Sequence, residues 1–349
     1  MKRRLSIGVI GAGAWGDNHL ACLTADPRVR VTWVCDRNPE LLAAALHRHG
    51  VLRGTADYRE ALADRSLDAV IVATPPFTHA PIAIDAMRAG KHLLLEKPMA
   101  HTRAAMRRIV REAARHPRLV TLEASCRGAR TQPKFAFVKN LISSGALGRV
   151  YHIHHVALTP TMYHDRMPQA RWAVQRAFAG GGPVVNWGEY DLSFHLGVLG
   201  DRPRLKALHA VTRNDLRTVA IEGITADIEQ HAIAFMEFTG GLTYYYERGD
   251  SAHGVLANQT RIHGTKAGIV FDYDEWASYD IAFYAASNNG TGPTEKRILT
   301  VARGDKPENS NVLPVRHFVE CVLGKAVPLM PFTLAAKHLE IAFRILEHR

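Results

Sequence analysis

A triple glycine followed by a polar stretch of helical length, GGGPVVNWGEYDLSFH at residues 180–195, carries side chains suited to acid–base chemistry. Asn186 and Tyr190 are one i,i+4 step apart, so on a continuous helix both lie on one face. His195 is rotated by about 140° from Tyr190 at 3.6 residues per turn, and we expect it to be a packed or domain-interface histidine. The other polar side chains of the stretch are expected to serve packing or solvent contact: Glu189, Asp191 and Ser193.

A second set of residues, Gly11, Gly13 and Gly16, forms a G-x-G-x-x-G motif. A strand is predicted for residues 5–10 before it and a helix for residues 14–25 after it, which is the setting that a dinucleotide-binding turn requires. The first glycine permits a tight turn, the second lets backbone amides approach a pyrophosphate, and the third allows close helix–strand contact. The motif therefore predicts a dinucleotide site at the start of this helix.

The residues around this motif complete the predicted cofactor site. Ala14 and Trp15 lie between its second and third glycines, and the next predicted strand, VRVTWVCD, ends on Asp36. The Asp36 carboxylate would accept hydrogen bonds from the ribose hydroxyls of adenosine and would repel a 2′-phosphate. We therefore predict NAD as the cofactor, with NADP as the alternative that the neighbouring Arg37 leaves open.

The elements that must position these residues alternate between strand and helix as far as residue 124. The predicted strands are 5–10, 29–36, a short one near Val51, 67–74, 91–96 and 118–124, and the predicted helices are 14–25, 38–48, 57–64, 78–89 and 100–115. This alternation predicts a doubly wound parallel sheet. Ligands bind beyond the carboxyl ends of such strands, which selects Thr74 and Pro75 after one strand and Glu96 and Lys97 after another.

After Ser125 this alternation stops. A helix at 132–144 is followed by the strand RVYHIHHVAL and by further stretches that read as strands separated by Gly, Asn and Asp turns, and two helices near 312–323 and 333–347 follow. We predict an α/β protein with an N-terminal Rossmann domain at residues 1–124. A C-terminal α+β domain with a large, mostly antiparallel sheet is predicted at residues 125–349.

Composition narrows the class of protein. The 349 residues are 47% hydrophobic and 22% charged, and no run of about eighteen apolar residues could span a bilayer. The net charge of +11 comes mostly from scattered arginines interleaved with acids, a pattern that argues against nucleic-acid binding. The four cysteines show no C-x-x-C spacing, which indicates reduced thiols and a cytoplasmic location: Cys22, Cys35, Cys126 and Cys321.

Four stretches, in chain order, resemble the Gfo/Idh/MocA family, which includes glucose–fructose oxidoreductase and inositol dehydrogenase. They are GVIGAGAWG, VIVATPPFTHAPIAIDAMRAGKHLLLEKP, RW…AGGGPVVNWGEYD and HFVECVLGKAVPL. The resemblance implies reversible hydride transfer between NAD(P) and a secondary alcohol of a sugar, cyclitol or related polyol, with sugar C3 among the candidate carbons. It also implies a homodimer or homotetramer assembled through the C-terminal sheet.

The resemblance also suggests catalytic roles. The family's helix after the glycines carries D-x-G-x-H, and aligning on the glycines places Asn186 at the aspartate and Tyr190 at the histidine. A phenol has an ordinary pKa of about 10, but a nearby ammonium such as Lys97 favours the phenolate. An aspartate one turn away would oppose that effect, whereas asparagine keeps its hydrogen-bonding capacity without charge. We expect Tyr190 to exchange the substrate's proton, Lys97 to assist it and Asn186 to orient the hydroxyl.

Further residues complete the expected site. His79, with Thr74, Pro75 and Glu96, is assigned to the cofactor site. Candidates for substrate contact are Arg127, Tyr163, His164, Arg171, Trp172 and Asn186. The histidines of YHIHHV, with His152 and His154 on one face and His155 on the other, do not by themselves predict a metal site.

Two other predictions concern the strand YYYE and the type of activity. Tyr244 and Tyr246 share one strand face, which suggests a subunit interface. Two alternatives to a dehydrogenase stay open. One is an NAD-dependent glycosidase or lyase that acts through transient C3 oxidation, and the other is a non-catalytic regulator that binds NAD and sugar.

Overall fold

A computed structural model describes residues 3–219, 221, 223–253, 258–274, 276–287, 292–302 and 311–347. The chain divides into two compact units. Unit 1 comprises residues 1–127 and 308–337, and unit 2 comprises residues 128–307 and 338–349. Residues 125–349 were predicted to form one second domain, whereas residues 125–127 and 308–337 belong to unit 1.

Unit 1 contains a six-stranded sheet in which every pairing is parallel, as predicted. Its order is β3-β2-β1-β4-β5-β6, which reverses direction between β1 and β4 and so creates the crevice where such sheets bind ligands. The strands are β1 (Leu5–Ile10), β2 (Val29–Cys35), β3 (Gly54–Thr55), β4 (Ala69–Val72), β5 (His92–Leu95) and β6 (Thr121–Glu123).

Helices follow the strands of unit 1. They are α1 (Ala14–Thr24), α2 (Pro39–His49), α3 (Tyr58–Ala63), α4 (His79–Arg88) and α5 (Arg103–Arg115), with α11 (Val312–Val322) and the first part of α12 (Phe332–Glu347) returning later in the chain. Capping residues explain where these helices begin and end, as α2 shows. The Asn38 side chain accepts hydrogen bonds from two backbone amides at the start of α2, and Gly50 ends that helix at a left-handed φ of 63°.

Unit 2 contains an eight-stranded sheet of order β14-β13-β12-β11-β7-β10-β9-β8. Its strands are β7 (Val150–Leu158), β8 (Leu205–Arg213), β9 (His231–Phe238), β10 (Leu242–Gly249), β11 (Gln259–Gly264), β12 (Ala267–Phe271), β13 (Asp280–Ala286) and β14 (Thr294–Thr300). Among these strands only β7 and β10 pair in parallel, so the prediction of a mostly antiparallel sheet is confirmed.

The helices of unit 2 are α6 (Pro133–Ser143), α7 (Tyr163–Arg166), α8 (Arg176–Ala179), α9 (Pro183–Asn186) and α10 (Gly188–Val198). Aromatic side chains join α10 to one face of the sheet, since the ring of Phe194 lies 5.8 Å from that of Phe271. On the other face, Ile233 and Phe235 of β9 are exposed. No helix within the described parts of the chain has the length and apolar character needed to cross a membrane.

Candidate active site

The glycine motif lies between β1 and α1, and glycine is favoured at each of its three positions for a different physical reason. Gly11 has a φ of +97°, and a Cβ there would lie 2.7 Å from the carbonyl oxygen of Ala73. A Cβ on Gly16 would lie 1.8 Å from the carbonyl oxygen of Gly11, so a side chain is excluded. At Gly13 a Cβ would meet nothing within 4 Å. The backbone at the start of α1 is therefore open, as the binding of a pyrophosphate there requires.

The carboxylate of Asp36 is held at the carboxyl end of β2. Its Oδ2 accepts a hydrogen bond from the Ala12 amide at 2.7 Å, and its Oδ1 accepts one from the Asn38 amide at 2.8 Å. An open hollow follows, lined by Arg37, Asn38, Pro39 and Glu40. Two carboxylates beside a single arginine fit the hydroxyls of a ribose better than a 2′-phosphate.

A buried charged cluster lies at the carboxyl end of β5. Both carboxylate oxygens of Glu96 accept hydrogen bonds from Nη2 of Arg127, at 2.6 and 2.7 Å, and Nε2 of His19 lies 2.8 Å from Oε1. The Arg127 guanidinium also lies 3.8 Å from the ring centroid of Trp15, over its face. Burial alone raises the pKa of Glu96, but Arg127 and His19 more than reverse that effect and hold it well below its ordinary value. Glu96 is therefore an ionised carboxylate.

The loops after β4 and β5 are joined by His79, which is fully buried. Its Nε2 lies 2.7 Å from the carbonyl oxygen of Thr74, and its Nδ1 lies 2.9 Å from that of Pro98. Burial lowers the pKa of His79, so the ring is neutral and donates to one of the two carbonyls. The backbone amide of Lys97 donates to Oε2 of Glu96 at 3.1 Å. His79 and Glu96 thus hold the two loops that carry Thr74, Pro75 and Lys97.

In unit 2 the triple glycine is required by the close approach of Glu229. A Cβ on Gly182 would lie 2.0 Å from the carbonyl oxygen of Glu229. The Glu229 carboxylate accepts hydrogen bonds from the amides of Gly182 at 2.7 Å and Val184 at 3.0 Å, so it caps the start of α9. Gly180, at a φ of +88°, ends α8. Burial raises the pKa of Glu229 to about 7.

The expected continuous helix through residues 186 and 190 is wrong. Helix α9 ends at Asn186, α10 begins at Gly188, and the amide of Tyr190 donates to the carbonyl oxygen of Trp187 at 2.8 Å. A Cβ on Gly188 would lie 2.9 Å from the hydroxyl oxygen of Tyr246. Glycine both weakens the helix here and lets this hydroxyl approach, so Asn186 and Tyr190 lie on consecutive helical segments.

Access distinguishes the polar residues of this stretch. Within residues 181–198, all of which the structure describes, only Asn186, Trp187 and Tyr190 are not fully buried. The rings of Trp187 and Tyr190 are 5.9 Å apart, and the Arg166 guanidinium lies 5.9 Å from the Trp187 centroid. The two predicted catalytic residues of unit 2 are therefore the accessible polar side chains of an otherwise buried stretch.

A buried ion pair, Asp191 with Arg248, was missed by the sequence analysis. The Arg248 Nε donates to the Asp191 carboxylate at 3.1 Å, the Tyr246 hydroxyl donates to it at 3.0 Å, and the Tyr273 hydroxyl donates to it as well. Burial alone raises the pKa of Asp191, but Arg248 and His155 bring it well below its ordinary value. Since Asp191 and Arg248 are 57 residues apart, no local motif could have revealed the pair.

The surroundings of this pair correct one prediction and agree with two others. Tyr244 and Tyr246 are fully buried inside unit 2, so the prediction that they serve a subunit interface is wrong. Glu189, Asp191 and Ser193 are fully buried, which excludes solvent contact. His195 is packed, as predicted, with its Nδ1 accepting from the Tyr244 hydroxyl at 2.7 Å and its Nε2 2.9 Å from Oγ1 of Thr260.

Apart from Asn186, the candidate substrate residues of unit 2 lie before the triple glycine. Tyr163 and His164 are half-buried residues of α7, and a 3₁₀ turn holds half-buried Trp172 and exposed Arg171. Arg127, the remaining candidate, belongs to the Glu96 cluster of unit 1. Among the described residues, no three His, Cys, Asp or Glu side chains are grouped so that they could hold a metal ion.

Comparison with known proteins agrees with this geometry. Residues 5–124 match a family model described as an oxidoreductase family with an NAD-binding Rossmann fold, and residues 135–270 match the GFO/IDH/MocA C-terminal domain. The chain belongs to the Gfo/Idh/MocA family. The predicted family, fold class and NAD cofactor are thereby confirmed, and the chain is an NAD-dependent oxidoreductase acting on CH–OH groups.

Sequence identity to individual proteins of known activity is low to moderate. Levoglucosan dehydrogenase of Pseudarthrobacter phenanthrenivorans is 27% identical over 304 residues, which cover 80% of this chain and 77% of the relative. Inositol 2-dehydrogenase 2 of Saccharopolyspora erythraea is 35% identical over 237 residues, or 64% of this chain and 66% of the relative.

Among solved structures, levoglucosan dehydrogenase in complex with NADH and levoglucosan superposes with a TM-score of 0.85 at 23% identity, covering 99% of this chain and 97% of the other. GenD2 from gentamicin A biosynthesis, in complex with NAD, is 27% identical with a TM-score of 0.78, covering 100% and 96%. Both similarities extend over both units, so the fold is that of the family throughout.

Proposed function

We propose that this oxidoreductase transfers hydride reversibly between NAD(H) and a secondary alcohol or ketone of a sugar or cyclitol, with Tyr190 as its acid–base residue. The observation that carries the assignment is that Asn186 and Tyr190 are the accessible polar side chains of residues 181–198. The substrate class is supported by relatives named for levoglucosan and inositol.

The residues of unit 1 hold the cofactor in this proposal. The open backbone at Gly13 receives the pyrophosphate and the Asp36 carboxylate receives the ribose hydroxyls. The loops that carry Thr74, Pro75 and Lys97 border the nicotinamide, and bound NAD⁺ supplies the hydride acceptor. Because the Glu96 carboxylate is already paired with Arg127 and His19, its role is to fix these loops and not to exchange protons.

Proton transfer is assigned to Tyr190. In the oxidative direction its phenolate takes the proton of the substrate hydroxyl as hydride leaves the carbon that bears this hydroxyl. The Lys97 ammonium lowers the pKa of the phenol and stabilises the developing alkoxide, and the Asn186 amide orients the hydroxyl without adding a negative charge. In the reductive direction Tyr190 returns the proton.

A screen for NAD⁺ reduction with sugars, cyclitols and glycosides, including levoglucosan and myo-inositol, tests the substrate class. With the best substrate, Tyr190→Phe should lower kcat by about 10²-fold or more, as the loss of a general base does. Tyr151→Phe is the matched control, since Tyr151 is an exposed tyrosine of β7 outside residues 181–198 and should keep wild-type turnover.

Activity of Tyr190→Phe close to wild type would contradict the assignment. Release of the aglycone from glycosides without accumulation of NADH would instead identify the glycosidase alternative. Tight binding of NADH and sugar with no hydride exchange would identify the regulator.

Self-association through the sheet of unit 2 is also proposed. The face of the sheet that α10 leaves uncovered exposes Val211, Ile233 and Phe235, and on the same face His154 stacks on Tyr245 with ring centroids 4.6 Å apart. Such an apolar and aromatic strip suits the burial of a second copy. Light scattering coupled to size-exclusion chromatography should give a dimer or tetramer, and a monomeric mass would reject it.

A further inference from the structure

Arg166 is a charged residue of unit 2 that the proposed mechanism does not use. It is the last residue of α7 and is exposed, and its guanidinium lies 5.9 Å from the centroid of the Trp187 ring. The Tyr190 ring lies 5.9 Å from the Trp187 ring. Arg166 and Tyr190 are therefore neighbours of the same indole, and they cannot be further apart than twice that distance.

Two guanidiniums lie beside the Trp187 ring, and they differ in whether an acid neutralises them. Arg248 lies 5.5 Å from the ring centroid, is buried, and donates two hydrogen bonds to the Asp191 carboxylate. For Arg166, the described residues include no carboxylate within ion-pair distance of the guanidinium. Arg166 is therefore the uncompensated positive charge beside Trp187 and Tyr190.

The acidic residues near Arg166 have other partners. Asp165, the preceding residue of α7, accepts a hydrogen bond from Nη1 of Arg217 at 2.5 Å. Asp250 lies close enough for its charge to interact with that of Arg166, but it is buried and accepts a hydrogen bond from the Thr159 hydroxyl at 3.0 Å. Neither carboxyl group forms an ion pair with Arg166, so the guanidinium stays available to an anion from outside the chain.

The helix that carries Arg166 is held in place by contacts within unit 2. Met162, the residue before α7, is buried and packs against Val174 and Ile228. Its backbone amide donates to Oδ2 of Asp165 at 2.8 Å, which closes the first turn of α7. A cation–π contact with the indole then supports the guanidinium itself. A charged group that is fixed before binding loses less entropy when a ligand arrives.

The chemistry of a free guanidinium selects an anionic ligand, because its planar fork binds a carboxylate or a phosphate through two parallel hydrogen bonds. The surrounding segment has the same sign of charge, since residues 161–176 contain three arginines and one aspartate. We propose that Arg166 is a specificity-determining residue that binds an acidic substituent of the substrate, so that the preferred substrates are sugar carboxylates or sugar phosphates. The acidic group lies at Arg166 while the reacting hydroxyl lies at Tyr190. This proposal rests on the proposed role of Tyr190.

The first test measures binding and needs no turnover. Glucose, galactose and mannose are each compared with their uronate and their 6-phosphate in calorimetric titrations of the NADH complex. We expect an acidic form to bind about tenfold tighter than its neutral counterpart, as a hydrogen bond to a charged group can provide, and high salt should reduce the difference. In Arg166→Gln the two forms should bind about equally. Equal binding in the wild type, or an undiminished difference in Arg166→Gln, overturns the proposal.

The second test is kinetic and follows NAD⁺ reduction with the same sugars. Arg166→Gln should raise the KM for the acidic substrate about tenfold and change its kcat little, because a contact away from the reacting carbon stabilises ground state and transition state alike. Arg166→Lys should keep part of the preference, since the charge remains without the planar fork. Arg213→Gln is the matched control, because Arg213 is an exposed arginine paired with Asp215 and its loss should preserve the preference.

The outcomes separate the two proposals. Equal kcat/KM for acidic and neutral sugars in the wild type rejects the anion site but leaves the dehydrogenase assignment intact. Binding of an acidic sugar that depends on Arg166, without any NAD⁺ reduction, rejects the proposed function and leaves the anion site in place. A preference for uronates or for phosphates supports the proposal in either case, and the larger of the two identifies the anion.

Discussion

A buried carboxylate–guanidinium pair is found among the described residues of both units, and the two pairs have different surroundings. In unit 2, Asp191 and Arg248 are enclosed by the hydroxyls of Tyr246 and Tyr273 and by aromatic rings. In unit 1, Glu96 and Arg127 lie beside His19, Trp15 and the lysine of the cofactor loop. The two ion pairs therefore serve different purposes: in unit 2 the pair anchors a helix, and in unit 1 it fixes the loops that we propose to border the cofactor.

The two pairs differ in how completely the oxygen atoms at and near the carboxylate are hydrogen-bonded. Both oxygens of the Asp191 carboxylate are occupied by arginine and tyrosine donors. Next to the Glu96 pair, the Glu123 carboxyl and the Ser125 hydroxyl each keep a buried oxygen without a partner among the described residues. A carboxylate with both oxygens hydrogen-bonded specifies one packing arrangement, whereas a buried oxygen without a partner belongs to a group that packing alone does not explain.

Breaking the Asp191–Arg248 pair should have the largest effect on stability. Asp191→Asn leaves the Arg248 guanidinium buried without its counter-charge, which should lower the free energy of unfolding by about 3–5 kcal/mol. Urea denaturation, followed by the fluorescence of Trp187, measures the loss. Asp215→Asn is the matched control, because Asp215 pairs with Arg213 on the exposed surface and its loss should not be detectable. Equal stability of the two variants would show that the buried pair does not anchor α10.

Glu229 is a buried carboxyl of unit 2 that forms no ion pair with a guanidinium among the described residues. The pKa of Glu229 is raised from an ordinary value of about 4.3 to about 7, so the unfolded chain loses this proton at lower pH than the folded chain does. Stability should therefore fall as pH rises from about 5 to 7, and Glu229→Gln should reduce that fall by about 2 kcal/mol. Urea denaturation at both pH values measures it. Identical pH slopes in variant and wild type would refute the raised pKa.

The smallest expected effect comes from breaking the Glu96–Arg127 pair of unit 1. In Glu96→Gln, Arg127 keeps its stacking on Trp15, but the loop that carries Lys97 loses its charged anchor. Affinity for NADH, measured by fluorescence titration, should fall about tenfold, or about 1.4 kcal/mol. Asp191→Asn should leave NADH affinity unchanged at low urea. If Glu96→Gln bound NADH as the wild type does, the distinction between an anchoring pair and a cofactor-loop pair would fail.

The cofactor side of the molecule was predictable because its signals are local. The three glycines, the strand before them and Asp36 after the next strand all lie within a short segment, and each has one structural explanation. The alternation of strands and helices then predicted the sheet that the structure contains. Strands β8, β13 and β14 were not predicted, and β14 shows why. Nearly all its side chains are exposed, so an edge strand lacks the apolar alternation that identifies a strand.

The interior of unit 2 was much less predictable. The role of Asp191 in α10 was predicted only as packing or solvent contact, because its partner Arg248 lies in β10, 57 positions away. The alternation of Tyr244 and Tyr246 identified a shared face but could not tell which face α10 covers. The break at Trp187 depends on the approach of Tyr246 to Gly188, a tertiary contact that helix periodicity does not encode. Long-range contacts, not local propensity, decided each of these features.

The return of residues 308–337 to unit 1 has a consequence for biosynthesis. Helix α11 packs against α1, Glu320 of α11 pairs with Arg28, and Met330 accepts the amide hydrogen of Glu123 at the outer edge of β6. A ribosome makes residues 128–307 of unit 2 before it makes these partners. Until then the nascent Rossmann sheet has an uncovered edge and an uncovered helix face, which are the features that chaperones recognise and that promote aggregation. Residues 1–127 are made before residues 308–337, yet they depend on that later segment to complete the fold of unit 1.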